Sequence, residues 1–175
     1  MVGFWRLGIT VLCFSFLSSS VWAQSAPFQI KKVSDGLYRA NLPDWEGMQE
    51  LKKMGIHTII NLVTEKVDIE QEKSWANSLG IGYISKPISS YLPLDDNYIV
   101  GIADLLKNDS LYPLLVHCRH GEDRTGLIIG LHRIRVEHVA PAVVWEEMLQ
   151  LGFHTILYFL KRSFVNITGY NPPSL

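Results

Sequence analysis

One segment constrains this chain more than any other: Leu114-Leu115-Val116-His117-Cys118-Arg119-His120-Gly121-Glu122-Asp123-Arg124-Thr125-Gly126. Its apolar opening has the length and composition of a buried strand, and from Leu127 to Val136 the apolar residues keep helical spacing. A strand that passes through a glycine-bearing loop straight into a helix is the building unit of an α/β layer.

The preceding residues repeat that alternation. Thr58 to Val63 and Ile81 to Ile84 read as strands, and Trp45 to Met54, Val67 to Leu79 and Tyr98 to Lys107 as helices. The pattern predicts an α/β domain with a mainly parallel central sheet flanked by helices. Ile30 to Val33 and Leu37 to Ala40, joined by Ser34-Asp35-Gly36, predict a hairpin at its start. The C-terminal third is helical: Leu127 to Val136, Pro141 to Leu151 and Thr155 to Phe164, with Gly152 breaking the last two. The stripe Ile156 to Leu160, with Phe153 and Phe164, reads as packed core rather than a membrane or cofactor surface. Asn166-Ile167-Thr168 matches the glycosylation acceptor, a weak signal for one tripeptide. No repeat, low-complexity tract or charge block interrupts residues 28–170, so they form one domain.

Residues 1–23 read as an export leader. Arg6 supplies the charge, Leu7 to Leu17 the apolar core, and Val21-Trp22-Ala23 a cleavage site. A membrane anchor is the weaker reading, since the apolar run falls short of the roughly 20 residues that span hydrocarbon and Ser18, Ser19 and Ser20 follow it. The expectation is a signal peptide at 1–23, one catalytic domain at 24–175, and a periplasmic or secreted protein without a stable membrane span. Sixteen Lys and Arg face seventeen Asp and Glu, a formal charge of -1 that becomes -2 once Arg6 is removed. Nothing in that balance points to a nucleic-acid partner, and none is expected.

Of two cysteines, Cys13 lies in the leader, so Cys118 is the only thiol of the mature chain and no intramolecular disulfide forms. An unpaired thiol in an exported protein is either inert core or reactive. The loop around it favours reactivity. A strand-to-helix loop turns its N–H groups inward and the helix start adds partial positive charge, which makes an anion cradle. The same field stabilises a thiolate, so Cys118 is the expected nucleophile. Arg124 has the planar fork that matches two phosphoryl oxygens. Thr125 can donate to the sulfur, Gly121 permits the tight backbone path, and Gly126 is expected to permit close helix packing. The substrate-binding set is therefore Arg119, His120, Gly121, Glu122, Asp123, Arg124 and Thr125. His57, His132, His138 and His154 lack ligand spacing, so neither a metal nor a cofactor is expected.

The residues His117-Cys118, Gly121 and Arg124-Thr125-Gly126 fit the His-Cys-x2-Gly-x2-Arg-Thr-Gly signature, and here the chain resembles the dual-specificity and related protein tyrosine phosphatases. It is similar to small bacterial periplasmic members and to atypical fungal and plant members. Gly36-Leu37-Tyr38-Arg39-Ala40 and Gly55-Ile56-His57-Thr58-Ile59-Ile60-Asn61-Leu62 extend the resemblance, which covers most of residues 36–152. Glu122 and Asp123 between Gly121 and Arg124 set the spacing apart from rhodanese-type sulfurtransferases. Low-molecular-weight phosphatases carry their loop near the N-terminus instead.

The resemblance implies a protein tyrosine phosphatase-like fold of dual-specificity type and hydrolysis through a phosphocysteine. It also implies an Asp general acid on a loop before the helix that precedes the cysteine strand, where Ile88 to Asn97 stands. Asp96 is the first candidate and Asp95 the second, although both occupy helix-capping positions. Asp123 is a third, as in phosphatases of the myotubularin group. His117 is expected to orient the loop, and His120 to face solvent. The two carboxylates Glu122 and Asp123 would repel an inositol polyphosphate, which favours a phosphotyrosine or mixed phosphoprotein substrate. Resemblance to inositol pyrophosphate-cleaving members points the other way. A silent phospho-binding module is the reading from a different class.

Overall fold

The computed structural model describes residues 27–173, so the expected leader and Cys13 lie outside the described residues. Five strands, β1 (Ile30–Ser34), β2 (Leu37–Ala40), β3 (Thr58–Asn61), β4 (Gly82–Ser85) and β5 (Leu114–His117), form one sheet in the order β1-β2-β5-β3-β4. Only the hairpin β1-β2 is antiparallel; β2-β5, β5-β3 and β3-β4 are parallel. Parallel neighbours need crossovers, which α1 (Trp45–Lys53), α2 (Lys66–Leu79) and α3 (Asp96–Leu105) help to supply. The expected mainly parallel α/β architecture is the one observed.

Strand β5 lies at the centre, with Leu115 opposite Tyr38 on one side and Ile59 on the other. All four residues of β3 and of β5 are buried, as befits strands covered on both faces. Leu115, Ile59 and Ala40 pack with Met48, Leu51 and Ala76 of α1 and α2. Leu37, Ile60, Leu114 and Val116 pack on the other face against α3, α4 (Asp123–Arg135), α5 (Pro141–Gln150) and α6 (Tyr158–Thr168). Each such side chain contributes roughly 1.5–3 kcal/mol on burial. From Thr125 to His132 every residue of α4 is buried, so the helix that leaves the cysteine loop runs through the core.

Local chemistry sets several boundaries. Asp44 caps α1 by accepting from Gly47 N at 2.8 Å, and Pro141 opens α5 at a position needing no N–H donor. Strand β3 ends at Asn61 rather than Val63, because the Asn61 side chain takes the Val63 N–H at 2.5 Å and leaves the ladder. Helix α6 runs from Tyr158 to Thr168 instead of Thr155 to Phe164. The His154 N–H is held by Asp123 at 2.7 Å, and a turn follows before the helix can begin. The stripe expected to be core divides accordingly: Phe153, Leu160 and Phe164 are buried, with Trp145 edge-on to Phe153 and tilted against Phe164 at ring separations of 5.4 and 5.2 Å, whereas Ile156 is 86% exposed. Asn166 of the acceptor tripeptide lies within α6. No described helix is long and apolar enough to cross a membrane.

Candidate active site

The site begins where β5 ends. His117 is the last strand residue, Cys118 follows it, and α4 starts at Asp123. Glu122, at the N-cap of α4, gives no side-chain bond to the first turn, so the leading N–H groups of that helix have no side-chain cap. Gly121 adopts φ +75°, a conformation that glycine alone reaches without strain. A β-carbon there would lie 2.6 Å from the Ala40 carbonyl carbon and 2.8 Å from Asn41 N. The expected tight path is present. Gly126 differs from expectation, since a β-carbon there would meet nothing nearer than 3.9 Å. Close packing falls instead to Gly130, four residues on, where a β-carbon would stand 2.9 Å from Val144 Cγ1 and 3.0 Å from Met148 Sδ.

A buried guanidinium holds the loop from behind. Arg39 Nε donates to Gly121 O at 3.1 Å, and Nη2 donates to Gly121 O and, at 3.3 Å, to Glu122 O. In a planar trans peptide the C=O and the next N–H point in opposite directions. Turning these two carbonyls toward Arg39 therefore turns the Glu122 and Asp123 N–H groups to the cradle side. Sequence reasoning took Arg39 only as part of a strand. Its signal was a charged residue in register with the buried Leu37 on a strand whose alternate positions face the core.

Cys118 is 2% exposed. Burial pushes its thiol up, but the Thr125 hydroxyl, the Arg124 charge and the backbone N–H groups of Thr125 and His120 outweigh it and hold the thiol below its ordinary value. The Thr125 hydroxyl is buried without a hydrogen-bond partner among the described residues, and it lies near enough to the sulfur to help hold the thiol down. Arg124 is aimed by backbone: Nη1 donates to Leu62 O at 3.3 Å and Ile88 O at 3.5 Å. The segments after β3 and β4 thus meet the loop cation.

His117 is buried, with Nδ1 3.3 Å from Cys118 O and Nε2 2.8 Å from Glu72 Oε1. Glu72, on α2, was not singled out in the sequence. It interrupts the inward stripe Ile69, Ala76 and Leu79, and a carboxylate at an apolar position was the legible sign. His120 is exposed, as expected, beside a depression of about 410 Å³ lined by Gln29, Asn41, Arg119 and Glu122. Arg119 pairs with Asp68 and, at 3.2 Å, with Glu65.

The three acid candidates separate. Asp95 is the N-cap of α3, accepting from Asn97 N at 2.9 Å. Asp96 binds α6 through Ser163 Oγ and through Asn166 Nδ2 at 2.9 Å, so a part in catalysis requires its carboxylate to leave those donors. Asp123 is buried and accepts from the His154 N–H, which ties the start of α4 to the segment before α6. The Asp123 carboxylate is thus committed to His154, which takes away its share of the expected repulsion. The sequence reading also left His154 without a carboxylate partner, yet ligand-capable atoms of Glu122, Asp123 and His154 lie within 4.8 Å of one another. Thirty-one residues separate Asp123 from His154, a distance that no local spacing rule spans.

Known proteins resemble this chain in sequence and fold. The dual specificity protein phosphatase TpbA of Pseudomonas aeruginosa is 26% identical over 137 residues, covering 77% of this chain and 61% of its own. Inositol diphosphatase DSP3 of Arabidopsis thaliana is 28% identical over 124 residues, 69% of this chain and 61% of its own. The chain thus spans about three fifths of the length of these curated relatives. The crystal structure of P. aeruginosa TpbA superposes with a TM-score of 0.68 at 23% identity, covering 85% of this chain and 91% of that one, and so shares the fold. A model of the tyrosine phosphatase family matches residues 25–165. Since that match runs from the first hairpin through α4 and α5 and contains the whole cysteine loop, the chain belongs to the tyrosine phosphatase family.

Proposed function

We propose that this chain is a cysteine-dependent phosphomonoester hydrolase acting on phosphotyrosine or mixed phosphoprotein substrates, exported by the leader at residues 1–23. The observation that carries the reading is the place of Cys118, at the end of β5 and the start of the loop into α4, with Arg124 and Thr125 on the first turn of that helix. A direction of the thiol below its ordinary value agrees with that placement, since burial alone would move it the other way. In the proposed reaction the phosphoryl oxygens occupy the N–H cradle and the Arg124 fork while the Cys118 sulfur attacks phosphorus. The leaving oxygen takes a proton from a carboxylic acid, for which Asp96 is the first candidate. Water then cleaves the phosphocysteine, and Thr125 stabilises the departing thiolate.

Two features support phosphotyrosine over an inositol polyphosphate. The second loop cation, Arg119, is neutralised by Asp68 and Glu65, so it is not available to a second phosphate. The segment after Ile88 presents Tyr91 and Leu92, 78% and 62% exposed, an apolar pair suited to an aryl group. The relation to an inositol diphosphatase keeps the alternative substrate in the test.

Release of phosphate from an aryl phosphate, from a phosphotyrosine peptide and from an inositol pyrophosphate tests the proposal. The expected order of kcat/KM puts the peptide above the pyrophosphate. Cys118→Ser abolishes turnover while retaining phosphate binding. Arg124→Lys loses transition-state stabilisation of about 2–4 kcal/mol, because a point charge cannot replace the fork. Activity in either variant above about a tenth of wild type, or 1.4 kcal/mol, overturns the assignment. Phosphopeptide binding without turnover by the wild type identifies a silent binding module.

A further inference from the structure

The proposed chemistry gives no part to Glu72, a carboxylate only 1% exposed on the inner face of α2. A lone buried carboxylate costs several kcal/mol unless it is paired and hydrogen-bonded. Its two oxygens are treated differently. Oε2 accepts from Asn61 Nδ2 and, at 3.3 Å, from the Tyr83 hydroxyl. Oε1 has no hydrogen-bond donor in line among the described residues and stands 2.8 Å from His117 Nε2.

Acceptors therefore flank both nitrogens of His117: the Glu72 carboxylate at Nε2 and the Cys118 carbonyl oxygen, 3.3 Å from Nδ1. A neutral imidazole carries one N–H and would leave one of these acceptors facing a lone pair. The doubly protonated ring offers an N–H to the Cys118 carbonyl and sets a positive charge 2.8 Å from Oε1, which it compensates as an ion pair rather than through an in-line hydrogen bond. Strand register brings the partners together, since Asn61 lies opposite His117 between β3 and β5 and the Tyr83 strand lies next to β3.

We propose that Glu72 is a positioning residue for the nucleophile: it keeps His117 as an imidazolium aligned on the Cys118 backbone, so that a positive charge is fixed beside the thiolate from the sheet side. The inference rests on Cys118 being the nucleophile of the proposed reaction. Burial alone would push the imidazole down; the Glu72 charge, then Cys118, more than offset it. The groups that face the pair are few. Tyr83 of β4 meets Glu72, while Arg124 of α4 and Arg39 of β2 carry charge that reaches Cys118. Arg124 thus acts from the helix side of the cradle and His117 from the strand side.

The test is the pH dependence of Cys118 alkylation by iodoacetamide, which needs no substrate and no turnover. In Glu72→Gln, which keeps the volume and one carbonyl acceptor but removes the charge and the second acceptor, the alkylation midpoint rises by about one unit, or tenfold slower labelling below it. An unchanged midpoint in a folded Glu72→Gln protein overturns the proposal and reduces Glu72 to a structural residue. Because that variant removes a buried charge, the wild type supplies an independent reading through the ¹⁵N shifts of His117 near neutral pH. Two protonated nitrogens support the proposal, and one unprotonated nitrogen overturns it. Failure of phosphatase activity with these shifts intact would count against the enzyme reading and leave the Glu72 arrangement standing.

Discussion

Arg39 binds the carbonyl oxygen of Gly121, eighty-two residues further along the chain, through two nitrogens of one buried guanidinium. The contact fixes the peptide planes that form the back of the phosphate cradle. Arg39→Met should therefore weaken vanadate and phosphate binding more than it weakens the fold. The Gly121 carbonyl left without a donor costs about 1–3 kcal/mol, visible as a lower urea midpoint, while Glu122 O keeps the Gly126 N–H at 2.7 Å. Calorimetric titration of vanadate should show at least a tenfold weaker affinity, on the order of 1.4 kcal/mol. Unchanged vanadate binding would show that the cradle holds its shape without the clamp.

Two glycines of the loop motif should respond in opposite ways. Gly121→Ala requires a left-handed backbone and drives a methyl into the Ala40–Asn41 peptide, so activity should be lost together with at least 1–2 kcal/mol of stability, on the order of the left-handed backbone cost alone. Gly126→Ala places its methyl 3.9 Å from its nearest neighbours inside a helix, and alanine gains about 0.8–1.0 kcal/mol of helix propensity over glycine. Thermal unfolding of both variants should rank them on either side of wild type.

Leaving-group dependence will locate the acid. Asp96→Asn should slow aryl phosphates with poor leaving groups far more than those with good ones and flatten the basic limb of the rate profile. Asp95→Asn should cost the start of α3 no more than about 0.3–1 kcal/mol, the charge lost at the helix N-terminus, since Asn caps as well as Asp. A uniform effect of Asp96→Asn across leaving groups would assign its carboxylate to Ser163 and Asn166 alone.

The Glu72–His117 pair also predicts how stability varies with pH. The folded imidazole value is raised above the ordinary 6.5. Its contribution is therefore fully present below about pH 6.5 and is lost as pH rises through the folded value, because the unfolded chain then binds fewer protons than the folded one. The difference in unfolding free energy between wild type and Glu72→Gln should be larger near pH 6 than near pH 9. Urea denaturation at the two values measures it, and a difference that grows with pH would reverse the sign of the pairing.

Much of this protein could be read along the chain. Short apolar runs and 3.6-residue spacing located the five strands and six helices of the described residues within a few residues, and the spacing from Cys118 to Thr125 marked the proposed cradle, because both depend on interactions between near neighbours. The residues that hold the cradle could not be read this way. Arg39, Glu72 and Asn61 reach the loop through strand register and the packing of α2, across separations that leave no periodic trace. The partners of Asp96 and Asp123 lie 67 and 31 residues away, so their orientation toward Ser163 and His154 was settled only when α6 packed beside α3 and α4. Sequence thus determined which groups surround the phosphate site, since a strand-loop-helix turn is a local object. Tertiary structure decided which of those groups are committed elsewhere, since a buried charge is stabilised by whatever partner the packing brings within reach.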